Sequence, residues 1–268
     1  MTILLTNDDG IEAPGLYALA EALADLGPLF IAAPEREQSG VGHAVTIREP
    51  LRVRELAPRP AGVRRLCVSG TPADAVKFAL RHHLDAPPRL VVSGPNTGPN
   101  VGVNVLYSGT IGAAYEAVLN GVSAVGVSSE VQAIYDWSAC CHFGRRVVEQ
   151  ALAWEDERRR HPEAHLRHGA ARPFLLNLNV PARPVREIRG LRVTRHGTSG
   201  FEEFFTPHAA DEPEAFRIDG NFLSHDPSED YDAAALLAGY ASVTPLTLDL
   251  TDEGFAREIR AAWPQDPD

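Results

Sequence analysis

Residues 2–10 read TILLTNDDG, an apolar run that ends abruptly in the polar sequence Asn7-Asp8-Asp9-Gly10. A run of this length between turn signals predicts a buried β-strand. Adjacent carboxylates after such a strand repel each other, and at neutral pH the pair is stable only beside a cation or with one group protonated. The stretch therefore predicts a strand that carries a metal site at its end. The alternative is an Asx turn in which one aspartate caps a helix.

The same pattern, a short apolar run followed by a polar loop, recurs at residues 29–33 and 89–93. Apolar residues at helical spacing predict helices near residues 16–26, 111–118 and 138–160. Strands that alternate with helices and are apolar throughout predict an α/β fold, with a parallel sheet covered on both faces. Ligands of such sheets bind beyond the carboxyl ends of the strands. We therefore expect the loops after residues 6, 33 and 93 to meet at one edge of the sheet.

The loop that follows residue 33 reads EREQSGVGH from Glu35 to His43. The Ser39 hydroxyl is a candidate metal ligand, and Gly40 permits backbone N–H groups to approach an anion closely. His43 is a candidate substrate contact or proton donor. The alternative interpretation is a glycine-rich surface loop with a solvated histidine.

The loop that begins at residue 93 reads SGPNTGPNVG and leads through Tyr107-Ser108-Gly109-Thr110 into a predicted helix. Asn96 offers a metal ion a neutral oxygen, and backbone N–H groups at a helix start attract phosphate. The candidates for binding phosphate and substrate are Asn7, Gly40, His43, Asn100, Ser108, Gly109 and Thr110. An ordinary glycine-rich turn is the alternative for any single glycine among them.

Composition narrows the possible partners and the compartment. The net charge of -11 disfavours broad binding to nucleic acid or to anionic lipid. Three cysteines without CxxC spacing predict buried thiols in a reducing, cytoplasmic compartment, and the apolar runs are too short to span a membrane. Lys77 is the only lysine, and it lies in a predicted helix. This position excludes a P-loop nucleotidase and argues against a phospho-receiver domain.

Six motifs follow one another over most of the chain. They are ILLTNDDGIEAPG at 3–15, SGVGHAVT at 39–46, SGTPADAV at 69–76, SGPNTGPNVGVNVLYSGTIGAA at 93–114, NLNVP at 177–181 and GYASVTPLTLDLT at 239–251. In this order they resemble the SurE (survival protein SurE) family. The resemblance implies a Rossmann-like, three-layer α/β domain with a C-terminal extension.

The resemblance also implies a metal site, an activity and an assembly. The family binds one divalent ion, with Mg²⁺ or Mn²⁺ most expected, at positions that correspond here to Asp8, Asp9, Ser39 and Asn96. Its members hydrolyse nucleoside 5′- and 3′-monophosphates, and some also hydrolyse short polyphosphate. They form homodimers or homotetramers that exchange C-terminal elements between subunits.

We expect a single domain over residues 1–268, with a core at about 1–185. An oligomerisation arm and swapped elements are expected at about 186–268. Residues 196–230 are rich in Asp, Glu, His, Gly and Pro, and we expect them to form a projecting arm or long loops.

The predicted reaction is metal-assisted hydrolysis of a phosphomonoester, with Asp8 and Asp9 as the catalytic residues. Asp9 is the candidate for general base or metal-bridging carboxylate. One alternative is a zinc de-N-acetylase, a class that places a histidine before the Asp pair, whereas this chain has Leu5-Thr6-Asn7 there. The other alternative is a non-catalytic nucleotide-binding protein, which would use the same ligands.

Overall fold

A nine-stranded sheet organises the fold in the computed structural model, which describes residues 2–134, 136–161, 166–167, 170–171, 173–209 and 212–263. Within these residues the strands are β1 (Ile3–Thr6), β2 (Leu29–Pro34), β3 (Val53–Leu56), β4 (Arg64–Val68), β5 (Leu90–Thr97), β6 (Ala124–Ser129), β7 (Leu166–Arg167), β8 (Ala170–Ala171), β9 (Leu175–Val180), β10 (Leu191–Val193), β11 (Gly200–Ala209), β12 (Glu212–Leu223) and β13 (Ala241–Leu246). The helices are α1 (Pro14–Leu23), α2 (Pro72–Phe78), α3 (Gly109–Leu119), α4 (Ser138–Arg160), α5 (Asp232–Leu237) and α6 (Glu253–Ala262).

The strand order in the sheet is β10-β13-β9-β6-β5-β1-β2-β4-β3. Neighbouring strands from β9 to β4 in this order are all parallel. Antiparallel pairs occur where β3 joins β4 and where β13 joins β9. This arrangement confirms the predicted α/β fold with a mostly parallel sheet.

Helices cover both faces of the sheet, which explains why its central strands are apolar throughout. Ile3 and Leu5 of β1 pack against α1 and α4 on one face, and Leu4 packs against α2 and α3 on the other. All three side chains are fully buried, and burying a side chain of this size stabilises a fold by about 1.5–3 kcal/mol. The polar chemistry of the chain is therefore concentrated at the strand ends.

Strand β5 is longer than the sequence predicts, because it continues past Ser93 to Thr97 through a bulge. The register of its pairing with β6 shifts between Ser93 and Asn96. Gly94 has a φ of 126° in the bulge, and a Cβ added to it would lie 2.2 Å from the carbonyl oxygen of Val127. Bulges redirect the side chains that follow them. Asn96 is therefore placed by a bulged strand and not by the loop that we expected.

The chain after residue 185 contributes both to the sheet and to a separate hairpin. Strands β10 and β13 join the nine-stranded sheet, so the sheet does not end near residue 185 as the expected core boundary implies. Strands β11 and β12 form an antiparallel hairpin within the polar stretch 196–230. Residues 210–211 and 264–268 of the expected extension lie outside the described residues.

Helix α4 spans the residues that the apolar spacing predicts, and α2 begins with a capping box formed by Thr71 and Asp74. In the described part of the chain, no helix combines the length and the apolar character that a membrane crossing requires. The three thiols are free, with Cys67 and Cys140 buried and Cys141 partly exposed.

Candidate metal site

Three polar loops meet at one edge of the sheet, as expected. Strands β5, β1 and β2 are neighbours and parallel, so their carboxyl ends point the same way. The backbone amide of Gln38 donates to the carbonyl oxygen of Asp8 at 2.8 Å, which joins the loop after β2 to the loop after β1. The Thr97 hydroxyl donates to Asp9 Oδ1 at 3.1 Å, which joins the end of β5 to the same loop.

Asp8 lies between the end of β1 and the first turn of α3. Its side chain is buried, with 4% of the residue exposed. The Thr110 hydroxyl donates to Asp8 Oδ1 at 2.5 Å. Gly109 leaves room for the Asp8 side chain, since a Cβ on residue 109 would lie 2.9 Å from Asp8 Cβ. Burial raises the pKa of the Asp8 carboxyl, although the bonds from Thr110 oppose this shift.

Asp9 is partly exposed and titrates close to neutrality. Burial, and then the neighbouring Asp8 carboxylate, raise its pKa to about 6, and Glu37 adds a smaller repulsion. Both carboxylates are therefore disfavoured as ions unless a positive charge lies beside them. A divalent cation supplies that charge, and carboxylate, hydroxyl and amide oxygens are the ligands that hard cations prefer. The residues present thus fit a site for Mg²⁺ or Mn²⁺.

The two neutral candidate ligands belong to the other two loops, Ser39 to the loop after β2 and Asn96 to the end of β5. Asn96 Nδ2 donates to the carbonyl oxygen of Gly98 at 2.7 Å, which leaves Oδ1 as the side-chain oxygen that can face a cation. Ser39 directly follows Gln38, is exposed, and donates from its hydroxyl to Glu37 Oε1 at 2.6 Å. A Cβ on Gly40 would meet nothing within 4 Å, so the space beside Ser39 is open to a ligand.

Buried polar atoms without a partner surround the end of β1. Asn7 Nδ2 donates to the carbonyl oxygen of Gly10 at 3.0 Å, but Asn7 Oδ1 has no hydrogen-bond partner within the described structure. The same holds there for Thr6 Oγ1 and Ser93 Oγ, which belong to a registered pair of residues on β1 and β5. Such atoms are costly unless a bound molecule or ion satisfies them.

Ser108 and His43 lie against α3. Ser108 is the N-cap of the helix, and its hydroxyl accepts the backbone amide of Ile111 at 3.1 Å. Loop 39–43 wraps around the same helix, because a Cβ on Gly112 would lie 2.5 Å from the carbonyl oxygen of Gly42. His43 Nε2 lies 3.0 Å from Glu116 Oε2. His43 is thus held at the side of α3.

Asn100 is tied into a buried network of amides that sequence reasoning missed. Its Nδ2 donates to Ser128 Oγ at 2.8 Å, and its backbone amide donates to Asn179 Oδ1 at 2.7 Å. The carbonyl oxygen of Asn100 accepts a hydrogen bond from Asn177 Nδ2 at 2.7 Å. Asn177 and Asn179 alternate on β9, so both project to one face of the sheet. The motif NLNVP was the available signal for this network.

The loop after β5 is fixed from a distant part of the chain by Asp232, which the sequence did not reveal as important. The fully buried Asp232 carboxylate accepts the backbone amides of Gly102 and Gly197 at 3.0 Å and of Ala233 at 2.9 Å. His196 Nε2 lies 2.7 Å from the carbonyl oxygen of Gly102. Residues 100–108 are therefore held at both ends, by the amide network and by α3, and in the middle by Asp232.

A cation at the Asp pair would need neutral ligands as well as charged ones. Among the residues that the structure covers, no three His, Cys, Asp or Glu side chains come together in a metal-binding group. Asp8 and Asp9 are thus the only two carboxylates of the proposed ligand set, and Ser39 and Asn96 complete it. A ligand set of oxygens without imidazole or thiolate is typical of hard divalent cations.

Comparisons with known proteins agree over nearly the full length. The family model described as "Survival protein SurE" matches residues 3–203. The chain is 40% identical over 266 residues to the 5′-nucleotidase SurE of Carboxydothermus hydrogenoformans, an alignment that covers 97% of this chain and 95% of that protein. It is 39% identical over 269 residues to the 5′-nucleotidase SurE of Moorella thermoacetica, with 98% of each chain covered.

The fold is also similar to a solved structure. The crystal structure of the SurE protein from Aquifex aeolicus matches with a TM-score of 0.78 at 33% identity, and the match covers 98% of this chain and 99% of that chain. The match therefore extends into the part of the chain after residue 185.

Proposed function

The chain belongs to the SurE family, and from this we propose that it is a 5′-nucleotidase. It hydrolyses nucleoside monophosphates at a divalent-metal site. Asp8, Asp9, Ser39 and Asn96 are the proposed ligands. The observation that carries this site is the Asp8–Asp9 pair, whose carboxyl pKa values are raised in the absence of a cation. The ends of the two neighbouring strands are hydrogen-bonded to the loop that carries this pair.

The residues around the pair have distinct proposed tasks. When bound, the cation neutralises phosphate charge and positions water. Thr110 holds Asp8 in place, and Thr97 occupies Asp9 Oδ1. Asp9 Oδ2 is the proposed acceptor of the proton of the attacking water, since Thr97 already donates to Oδ1.

The phosphate is proposed to lie between the loop after β2 and the start of α3. Gly40 and Gly109 supply backbone N–H groups, and the positive end of the α3 dipole favours an anion there. Ser108 fixes the start of that helix through its cap. The Thr110 hydroxyl donates to Asp8, so we propose that Thr110 supports phosphate binding by positioning Asp8 as a metal ligand.

The function is tested by phosphate release from a panel of 5′- and 3′-nucleoside monophosphates and from short polyphosphate. The protein is stripped of metal, and Mg²⁺, Mn²⁺ or Zn²⁺ is then added. We expect release to be restored by Mg²⁺ or Mn²⁺. Metal-dependent nucleotide binding without release would favour the non-catalytic alternative, and deacetylation with zinc alone would favour the de-N-acetylase alternative.

Replacing Thr110 by Val tests the support of Asp8 without removing a ligand. Hydrogen bonds to charged groups contribute about 1.5–3 kcal/mol, so we expect kcat to fall by about tenfold or more. Thr110→Ser keeps the hydroxyl and is expected to stay within a few-fold of the wild type. Equal activity of the Val and Ser variants would show that the hydroxyl does not position Asp8.

A homodimer or homotetramer is proposed from the apolar surface of the C-terminal part. Phe205 and Ile218 of the hairpin are more than 60% exposed, and Trp263 after α6 is 74% exposed. Phe205 and Ile218 are opposite each other in the hairpin, and exposed apolar side chains that adjoin mark interaction surfaces. The proposed occupant is a second copy of the chain. Sedimentation analysis of the wild type and of Phe205→Glu tests this, with a smaller species expected for the variant.

A cytoplasmic location is proposed from the thiols. All three cysteines are free, and two of them are buried. Free thiols are typical of reducing compartments. Fractionation of cells that express the full chain would test this location.

A further inference from the structure

A small pocket on the side of α3 has no role in the proposed metal site. It has a volume of about 190 Å³ and lies between α3 and the segment 247–250. Its walls are mostly apolar, with Leu106, Leu248 and Leu250 among them, and His43 and Tyr115 add two rings. The His43 and Tyr115 rings are close to parallel, with an interplanar angle of 21°.

The first turn of α3 connects the pocket lining to the Asp pair. Ser108 lines the pocket and caps the helix, and the next residue, Gly109, is in contact with Asp8. A larger cavity of about 610 Å³ lies on the other side of Tyr115. None of the proposed metal or phosphate residues lines that larger cavity, so we consider only the smaller pocket.

Glu116 determines how His43 faces this pocket. The Glu116 side chain is 4% exposed and contacts His43 Nε2 at 3.0 Å, Asn120 Nδ2 at 2.7 Å and Lys77 Nζ at 3.4 Å. When His43 donates from Nε2–H to this carboxylate as the neutral imidazole, Nδ1 is a hydrogen-bond acceptor. An acceptor beside apolar walls suits the hydroxyl or amine groups of a nucleoside.

We propose that this pocket binds the nucleoside part of the substrate and that Glu116 is a positioning residue, which orients His43 so that Nδ1 accepts a hydrogen bond from the ribose or the base. The proposal rests on the proposed nucleotidase function. Pockets for drug-sized ligands typically have volumes of about 300–1,000 Å³. A pocket of about 190 Å³ therefore fits one ring system and not an oligonucleotide.

The size and the lining predict that nucleoside monophosphates bind more tightly than phosphate esters without an aromatic ring. Aromatic rings bind any base through its face, whichever base it is. We therefore expect the protein to accept several different bases. Stacking on the face of the base should contribute more affinity than hydrogen bonds to its edge.

The experiment measures KM and kcat for two nucleoside monophosphates, together with inhibition by the free nucleosides and by inorganic phosphate. The variants are His43→Ala, Glu116→Gln and Leu250→Arg. Leu250 is 84% exposed, so its replacement does not disturb the core if Glu116→Gln fails to fold. Leu237→Arg is the matched control, since Leu237 is exposed on α5 and does not line the pocket.

We expect each of the three variants to raise KM for the nucleotides and the inhibition constant of the nucleosides by about tenfold, the equivalent of one lost contact. The inhibition constant of phosphate, kcat and the control should stay within about twofold. The proposal would be overturned if nucleosides did not inhibit the wild type. It would also be overturned if they inhibited His43→Ala and Leu250→Arg as strongly as the wild type. Absence of phosphate release by the wild type would instead count against the proposed function, and nucleoside binding by calorimetry would then still decide on the pocket.

Discussion

Asp8→Asn is expected to lower kcat/KM for nucleoside monophosphates by about 10³-fold or more, because a bound cation supplies several kcal/mol of charge stabilisation in the transition state. The amide keeps the shape of the side chain but removes the charge that attracts the cation. Steady-state phosphate release, with Mn²⁺ or Mg²⁺ in excess, measures the effect. The matched control is Asp25→Asn, a surface carboxylate paired with Arg145, which should keep full activity.

The same substitution separates the loss of metal from a loss of fold. Metal at 100 times its Kd stabilises a protein by about 2.7 kcal/mol, or roughly 5–10 °C in Tm for a chain of this size. Metal should therefore raise the Tm of the wild type and not that of Asp8→Asn. Without metal, the variant should be at least as stable as the wild type, since burial raises the pKa of Asp8 and thus disfavours its ionised form in the fold. Full activity of Asp8→Asn would remove Asp8 from the proposed site.

Asp232→Ala is expected to lower the free energy of unfolding by roughly 3–5 kcal/mol, although Asp232 touches none of the proposed ligands. The substitution leaves three buried backbone amides, those of Gly102, Gly197 and Ala233, without their acceptor. Each unsatisfied buried donor costs about 1–3 kcal/mol. Urea denaturation at neutral pH measures the change.

The control for this second substitution is Asp230→Ala, whose carboxylate is exposed and pairs with Arg192 at the surface. Surface pairs contribute about 0–1 kcal/mol, so we expect a change of less than 1 kcal/mol there. If Asp232→Ala also changed the free energy of unfolding by less than 1 kcal/mol, the loop around Gly102 would be held by other contacts.

The positions of the Asp pair and of its neighbours in the sheet could be predicted from sequence because each depends on local pattern. An apolar run that stops at Asn7 predicts a strand end, and the order of such runs predicts which ends are adjacent. Helix α4 was predictable for the same reason, since its apolar spacing is continuous. These features depend on residues within one element.

Contacts between distant segments could not be predicted in this way. Nothing near Thr110 shows that its hydroxyl donates to Asp8, 102 residues earlier. The bulge that places Asn96 depends on the fit of Gly94 against Val127 in a neighbouring strand. The hairpin of β11 and β12 was also missed as a pair of strands, because most of its side chains are exposed and its polar composition resembles that of a loop.

The bond from Gly102 to Asp232 spans 130 residues, and this separation constrains the order in which the protein matures. Chains emerge from the ribosome N-terminus first, so the Asp pair and Asn96 are made well before the residue that fixes the loop beside them. Contacts of such long range also form slowly, because a large loop must close first. A nascent chain that has reached only α4 therefore has every proposed ligand but lacks Asp232, and the loop around Gly102 can be fixed only after residue 232 has been made.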